Sequence, residues 1–274
     1  MQAPGRGGIR LHVRRVVDPP GQPIVLLHGL GVGGVVWQAL ARRLGPELAA
    51  VAPDLRGHGQ SDAPPTGYAP LDYAADLAEL IDHLLPRPVP VVGHSLGALA
   101  ALALAATRPE LVDWLVLLDP PLDPDLPNRE VAQVYRLRHA PVGELERYLL
   151  ERNPGGGQVL AQILANLFRQ ASDAAFEALI DPAARLERAP QAAEAAHEQA
   201  RQVRCRTLVV QADPHQGGVL GDAAAEAFVK QLPHGQLEKI EGATHALHAS
   251  HSRVVADAIR TFGGYARSVD PGSR

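Results

Sequence analysis

Short apolar segments alternate with longer segments rich in alanine and leucine along most of the chain. The short segments contain β-branched residues and few polar ones, which is typical of strands covered on both faces of a parallel sheet. One predicted strand starts at Ile9, and six more end at His28, Asp54, His94, Asp119, Gln211 and Gly242. Helical patterns cover residues 35–44, 71–85, 96–107, 222–232 and 250–262. This alternation predicts an α/β fold in which helices cross over between parallel strands.

The strand pattern stops between residues 121 and 204. Four helical patches follow one another there, separated by Asn-Pro-Gly-Gly-Gly at residues 153–157, by Ser172 and by Asp181. Roughly eighty helical residues inside an α/β pattern predict an inserted helical cap. We therefore predict a core formed by residues 1–120 and 205–264, a cap over 121–204, and a C-terminal tail over 265–274.

Composition and charge narrow the classes of partner. The 274 residues include 26 basic and 30 acidic side chains, and neither sign forms a run. This argues against nucleic-acid and membrane binding and favours small-molecule partners, while the oligomeric state is left open. The single cysteine, Cys205, excludes an internal disulfide, and its neighbours predict a buried strand thiol. The sequence shows neither the apolar core of a signal peptide nor an apolar stretch of about 18 residues, so we expect a cytoplasmic location.

The first candidate for chemistry is a glycine-rich turn after the strand that ends at His28. Gly29, Gly31 and Gly34 fit the spacing of a dinucleotide-binding fingerprint, and Asp54 follows at the end of the next strand. The same glycines could instead let backbone N–H groups approach a developing oxyanion. The turn alone leaves both interpretations open.

The second turn favours the oxyanion interpretation. The sequence Gly-His-Ser-Leu-Gly at residues 93–97 joins a predicted strand to an alanine-rich helix. This pattern at a strand–helix junction is typical of the tight corner that exposes a serine nucleophile above a sheet. We therefore predict that Ser95 is the nucleophile.

The third turn supplies a base for that serine. A serine hydroxyl is a weak nucleophile near neutral pH and needs a general base from elsewhere in the chain. His245 lies after the last predicted strand, where it can serve as this base. His248 and His251 follow at helical spacing and could form a metal-binding face, but no companion carboxylate motif supports one. We expect both of these histidines on the flank of the final helix, and we predict no metal or cofactor.

Four motifs together resemble the α/β-hydrolase family of serine hydrolases. They are His-Gly at 28–29, the segment 54–62, Gly-His-Ser-Leu-Gly-Ala at 93–98 and Gly-Ala-Thr-His at 242–245, in matching order over nearly the whole chain outside the cap. The resemblance implies an eight-stranded, mostly parallel sheet and a Ser-His-acid triad. It also implies an oxyanion hole formed by the N–H groups of Leu30 and Leu96. It explains Asp54 and Arg56 as residues that order a loop near the site, which removes the nucleotide interpretation.

The triad acid departs from the pattern that is usual in this family. The acid usually follows the seventh strand, but an alignment on Ala212 puts His215 at that position. Asp213 lies two residues earlier, in a loop that also carries two adjacent glycines. Some relatives place the acid after the sixth strand, where this chain has Asp119. We predict Asp119 as the acid, with Asp213 as the alternative.

These residues predict a carboxylic-ester hydrolase that forms an acyl-enzyme on Ser95. Lactones and thioesters lie within the same chemistry. Relatives of similar length hydrolyse carbon–carbon bonds of dienones with the same triad, although the leucines at 30 and 96 offer no anchor for a substrate carboxylate. A ligand receptor that retains slow, single-turnover hydrolysis is a further alternative. Apolar residues in the predicted cap favour uncharged esters with short to medium acyl groups.

Overall fold

The computed structural model describes residues 1–15, 21–122, 128–152, 157–180 and 189–265. It contains one eight-stranded sheet with the strand order β1-β2-β4-β3-β5-β6-β7-β8. The strands are β1 (Gln2–Pro4), β2 (Arg10–Arg15), β3 (Gln22–Leu27), β4 (Leu48–Pro53), β5 (Val89–His94), β6 (Val112–Leu118), β7 (Arg206–Ala212) and β8 (Gly235–Ile240). β1 pairs antiparallel with β2, and β2 pairs antiparallel with β4. All other neighbouring strands pair parallel, which confirms the predicted α/β sheet.

Helices follow most of the parallel strands. They are α1 (Gln38–Ala41), α2 (Pro70–Leu84), α3 (Leu96–Thr107), α4 (Asn128–Arg138), α5 (Glu144–Arg152), α6 (Gly157–Gln170), α7 (Asp173–Ile180), α8 (Ala189–Gln202), α9 (Asp222–Val229), α10 (Leu247–Ser250) and α11 (Ser252–Gly263). Separate hydrophobic clusters cover the two faces of the sheet, one with α2, α3 and α9, the other with α1 and α11. The central strands are apolar because both of their faces are buried against these helices.

Several element boundaries differ from the sequence prediction. The short edge strand β1 was not predicted, because three residues carry no recognisable hydrophobic period. The predicted helix over 35–44 is a 3-10 turn, Gly34–Trp37, followed by the single turn of α1. The predicted helix over 250–262 corresponds to α11, Ser252–Gly263, and the single turn of α10 before it was not predicted; the chain leaves helical geometry between them at His251.

The described part of the segment between β6 and β7 consists mainly of helices joined by short turns. It contains α4 to α8, five helices where four patches were predicted, because the first patch is broken by a turn at residues 139–143. A third hydrophobic cluster, which includes Leu145, Leu149, Ala165 and Phe176, joins α4 to α7, whereas Ala196 and Ala200 of α8 pack in the cluster on the sheet. The proposed cap boundaries stay a prediction. The predicted turns at 153–156 and at Asp181, and the tail after residue 265, lie outside the described residues.

No helix within the described residues is both long enough and apolar enough to cross a membrane.

Candidate active site

Ser95 occupies the corner between β5 and α3. Its backbone has φ 52° and ψ −117°, an uncommon conformation for a residue with a side chain. A Cβ on Gly93 would come within 2.2 Å of Gly97 O, and a Cβ on Gly97 within 2.3 Å of Leu27 O. Only glycine fits at either position, so the sequence Gly-x-Ser-x-Gly is what this tight corner requires.

Asp119 and His245 form a direct hydrogen bond. His245 Nδ1 lies 2.7 Å from Asp119 Oδ2. Asp119 follows β6 and is 0% exposed, whereas the His245 side chain is 32% exposed. The backbone of Asp119 also has a positive φ of 43°, and its N–H donates to Val210 O at 2.8 Å. The imidazole is therefore held at one nitrogen by a buried carboxylate.

Three backbone N–H groups surround the same carboxylate. Ala212 N and Leu220 N each lie 3.3 Å from Asp119 Oδ1, and Val219 N lies 2.9 Å from Oδ2. A buried charge is tolerated when such donors replace its lost hydration. The loop after β7 thus wraps around an acid that comes from β6.

Asp213 makes different contacts. Its carboxylate accepts the N–H groups of His215 at 2.9 Å and Gly242 at 3.0 Å. These bonds from Gly242 and His215 lower the pKa of the Asp213 carboxyl. Its side chain holds the turn that leads to His245, and the described hydrogen bonds of the His245 imidazole do not include Asp213.

The turn after β3 lies against the nucleophile. A Cβ on Gly29 would come within 3.3 Å of Ser95 Cβ. His28 fixes this turn because its Nδ1 donates to Gly29 O at 2.7 Å and its Nε2 accepts the Leu55 N–H at 2.9 Å. The Leu96 N–H belongs to the open first turn of α3, whose N–H groups lack intrahelical partners. Gly29, which directly precedes Leu30, thus lies against Ser95, and Leu96 directly follows Ser95 in the chain.

The carboxylate of Asp54 is hydrogen-bonded within the protein. Its buried carboxylate accepts the N–H groups of Gly34 at 2.6 Å and Gln60 at 3.1 Å, and His12 Nδ1 lies 3.1 Å away. Burial opposes ionisation of Asp54, but the N–H groups of Gln60 and Gly34 leave its pKa below the ordinary value. No oxygen of Asp54 faces open space for a ribose, which agrees with a loop-ordering role.

Arg56 is also held internally. Its Nε and Nη2 each lie 2.6 Å from the carboxylate oxygens of Asp76, and its Nη1 donates to Gly67 O at 2.7 Å. This buried two-point ion pair ties the loop after β4 to α2. Arg56 therefore orders the loop and does not present its charge to a ligand.

Two buried histidines, His94 and His248, form a cluster of tilted rings with His245 that the sequence did not predict. The His94 ring centroid lies 4.6 Å from that of His245 and 4.5 Å from that of His248. The His248 ring in turn lies 4.8 Å from Trp37. His248 is on the short helix α10 and points into the core, so its expected position on the flank of the final helix was wrong. Burial lowers the pKa of His248 to about 3.

The other chemistry-bearing candidates have ordinary surroundings. His251 Nδ1 lies 3.0 Å from Ser250 Oγ at the surface. Among the described residues, no group of three histidine, cysteine or acidic side chains is arranged to hold a metal ion. Cys205 directly precedes β7 and is half-buried, so the predicted buried strand position is wrong by one residue, and burial raises the pKa of its thiol.

Aromatic side chains of α6 and α7 cover the turn after β3. A Cβ on Gly31 would come within 2.2 Å of the Phe168 ring and 2.9 Å of the Phe176 ring. Arg138 lies over Phe176, with its guanidinium carbon 4.7 Å from the ring centroid. Its Nη1 is bound to Asp173 at 2.6 Å and its Nη2 to the carbonyl of Ala171, while its buried Nε has no hydrogen-bond partner among the described residues. The surface next to the candidate oxyanion turn is therefore aromatic, and the nearby cation is engaged.

Comparison with known proteins gives matches to hydrolases. A family model described as "Alpha/beta hydrolase family" matches residues 24–258. The chain is 43% identical over 112 residues to lipase LipV of Mycobacterium tuberculosis, an alignment covering 41% of the chain and 42% of that protein. It is 41% identical over 113 residues to 2-(acetamidomethylene)succinate hydrolase of Mesorhizobium japonicum, covering 41% of the chain and 40% of that protein.

A solved structure of E-2-(acetamidomethylene)succinate hydrolase is similar over 96% of this chain and 99% of that chain, with a TM-score of 0.77 and 26% identity. The chain spans less than half the length of the curated relatives that it matches. The family model nevertheless covers most of the chain, including Ser95, Asp119 and His245. With the eight-stranded sheet of the same fold, this match shows that the chain belongs to the alpha/beta hydrolase family.

Proposed function

We propose that the protein hydrolyses carboxylic esters through an acyl-enzyme on Ser95, with His245 as general base and Asp119 as the triad acid. The observation that carries this proposal is the 2.7 Å hydrogen bond between His245 and the fully buried Asp119. A neutral imidazole that donates from Nδ1 keeps the lone pair of Nε2 free to accept a proton. The described hydrogen bonds of the His245 imidazole include Asp119 and not Asp213, which supports Asp119 as the acid.

The reaction proceeds in two halves. Ser95 Oγ attacks the ester carbonyl while His245 Nε2 removes its proton, and the N–H groups of Leu30 and Leu96 stabilise the oxyanion. The imidazolium then protonates the leaving alcohol, which departs and leaves the acyl group on Ser95. Water then attacks this acyl group while His245 Nε2 removes its proton. The Ser95 Oγ–acyl bond breaks, the imidazolium returns the proton to Ser95 Oγ, and the carboxylic acid product is released.

The preferred substrates are uncharged esters of short to medium acyl chain. Phe168 and Phe176 give the turn after β3 an aromatic cover, and apolar surface favours an uncharged acyl group. Both Nη nitrogens of Arg138 are bound to Asp173 and to backbone carbonyls, so the charge of this guanidinium is already paired within the protein.

A second candidate is hydrolysis of an amide carried by a dicarboxylic acid. This candidate is favoured by the similarity, in sequence and in structure, to 2-(acetamidomethylene)succinate hydrolase. The same serine, histidine and acid would serve, but the substrate would need cationic anchors. A side-by-side comparison of kcat/KM for p-nitrophenyl butyrate and for an acetamidomethylene dicarboxylate decides between the two substrate classes.

The test of the main proposal is a stopped-flow assay of p-nitrophenyl acetate hydrolysis. We expect an initial burst of nitrophenol followed by many turnovers, and an acetyl group on Ser95 detected by mass spectrometry of the quenched enzyme. Ser95→Ala should lower the rate on the order of 10³-fold or more, while the matched control Ser252→Ala, at the start of α11, should leave it unchanged.

Two outcomes of this assay would contradict the proposal. A burst without further turnover would indicate a ligand receptor with single-turnover chemistry. Retention of more than about a tenth of the rate in folded Ser95→Ala would exclude the serine mechanism, because the loss of a triad member costs far more.

A further inference from the structure

His94 touches all three turns that carry the proposed catalytic groups. It directly precedes Ser95 in the chain. Its Nε2 donates to His245 O at 2.8 Å, and its ring packs on the His245 ring. A Cβ on Gly29 would come within 3.0 Å of His94 Nδ1, so the turn after β3 lies against the same ring. One side chain therefore contacts the corner at Ser95, the turn at residues 242–245 that carries the base, and the turn after β3 that carries Leu30.

The hydrogen bond to a carbonyl defines the protonation of His94. A carbonyl only accepts, so Nε2 carries the hydrogen and Nδ1 carries the lone pair. Nδ1 is buried and has no hydrogen-bond partner among the described residues. Burial, together with the neighbouring imidazoles of His248 and His245, holds the pKa of His94 well below its ordinary value. His94 is thus a neutral donor at Nε2, and an unpartnered buried nitrogen is the cost of that arrangement.

The base turn, residues 242–245, is also restrained near its start and at Thr244: Ala243 N donates to Ile240 O at 3.2 Å, and Thr244 Oγ1 lies 3.3 Å from Ser250 Oγ. Asp213 holds its beginning through Gly242 N, and Ala243 O accepts the N–H of Asp213 at 2.9 Å. At the other end of the turn, the carbonyl of His245 is held by His94. The imidazole of His245 is bound at Nδ1 to Asp119, but that bond alone leaves the ring free to swing about it.

We propose that His94 is a positioning residue that sets the distance and angle between Ser95 and the His245 imidazole by holding the His245 carbonyl from the residue next to the nucleophile. This inference rests on the proposed function, since it concerns the same serine and histidine. A misplacement of reacting groups by about 1 Å is enough to lower a rate on the order of 10²-fold.

A matched pair of amide variants isolates the hydrogen bond. The amide nitrogen of glutamine reaches about as far as Nε2 of histidine, whereas that of asparagine reaches only as far as Nδ1. We expect His94→Gln to stay within about tenfold of the wild-type kcat, and His94→Asn to lose on the order of 10²-fold in kcat with little change in KM. The melting temperature of each variant is measured as well. Because both variants place an amide at the same buried position, this measurement separates a loss of kcat from a loss of stability.

Equal losses in the two variants, an unchanged kcat in His94→Asn, or a loss confined to KM would overturn the inference. A measurement on the wild type covers the case in which a variant does not fold. ¹⁵N NMR of the histidine side chains should show His94 protonated at Nε2, and a spectrum with the hydrogen on Nδ1 would overturn the inference equally.

The Ser95→Ala assay keeps this result separate from the proposed function. If Ser95→Ala abolishes hydrolysis and His94→Asn does not lower kcat, the positioning role fails and the serine mechanism stands. If Ser95→Ala retains hydrolysis, the proposed function fails whatever the His94 variants do.

Discussion

Replacement of Asp119 by asparagine tests the proposed acid most directly. Both oxygens of the Asp119 carboxylate act as acceptors. Oδ1 accepts from Ala212 N and Leu220 N, and Oδ2 accepts from Val219 N and the His245 ring. An asparagine must place an NH₂ group at one of these two positions. At Oδ1 it would meet two fixed N–H groups, while at Oδ2 it would meet only one.

The amide nitrogen is therefore expected at the Oδ2 position, where it can donate to His245 Nδ1. The imidazole then takes the tautomer with hydrogen on Nε2 and can no longer accept the proton of Ser95. A wrong tautomer of this kind lowers kcat on the order of 10⁴-fold, which corresponds to about 5 kcal/mol of transition-state stabilisation. The Val219 N–H loses its acceptor as well, which costs about 1–3 kcal/mol of folding stability.

Asp213→Asn is the matched control. The amide oxygen can still accept one of the two N–H groups that Asp213 binds, and the other can be solvated because Asp213 is only half-buried. We expect kcat within about tenfold of wild type, as for loss of a single surface hydrogen bond. Both variants are assayed at saturating p-nitrophenyl acetate, with circular dichroism to check folding. A crippled Asp213→Asn beside an active Asp119→Asn would refute the assignment of the acid.

Two further predictions concern the helices between β6 and β7. Phe168→Ala should raise kcat/KM for p-nitrophenyl octanoate relative to the acetate, because it removes the ring that lies over Gly31; an unchanged chain-length profile, as expected for the exposed control Val159→Ala, would contradict it. Arg169 holds Glu146 by hydrogen bonds and lowers its pKa from 4.5 to about 2. The folded-state pKa lies below the unfolded one, so this stabilisation is present above about pH 4.5 and is lost as the pH falls towards 2. Glu146→Gln should therefore lower the melting temperature at pH 7 and have less effect at pH 3; equal effects would contradict it.

The sheet was predictable because its central strands are short apolar segments in the sequence. Strands such as β5 and β6 are apolar on both faces, and no other common element gives such short apolar runs between glycine turns. The break between α4 and α5 was missed in the sequence, although Pro141 and Gly143 mark it. Proline removes a backbone donor and ends a helix, and Gly143 has a positive φ of 102° that favours glycine.

Sequence spacing alone could not identify the residues that hold the site together. Gly34 and Asp54 fit a nucleotide fingerprint, yet the structure joins them to each other at 2.6 Å. His94 stands in the nucleophile motif as an unspecified residue, and its contact with His245 spans 151 positions of the chain. Contacts of that separation depend on how β5 and the turn after β8 meet at one edge of the sheet, which a periodic pattern does not encode.

The loop after β7 explains why a carboxylate after β6 can serve as the proposed acid. Val219 N and Leu220 N reach Asp119 only because the chain turns tightly at Gly217 and Gly218. A Cβ on Gly218 would come within 2.9 Å of Ala212 O, which is backbone and cannot move aside, whereas a Cβ on Gly217 would meet nothing within 4 Å. Gly218→Ala should therefore push these N–H groups away from Asp119 and lower kcat on the order of tenfold or more, about 1.4 kcal/mol. Gly217→Ala, where φ is 89°, should cost about 1–2 kcal/mol of folding stability and leave kcat near wild type. If kcat is the same in both variants, Val219 and Leu220 do not support the acid, and Ala212 and His245 hold the Asp119 carboxylate without them.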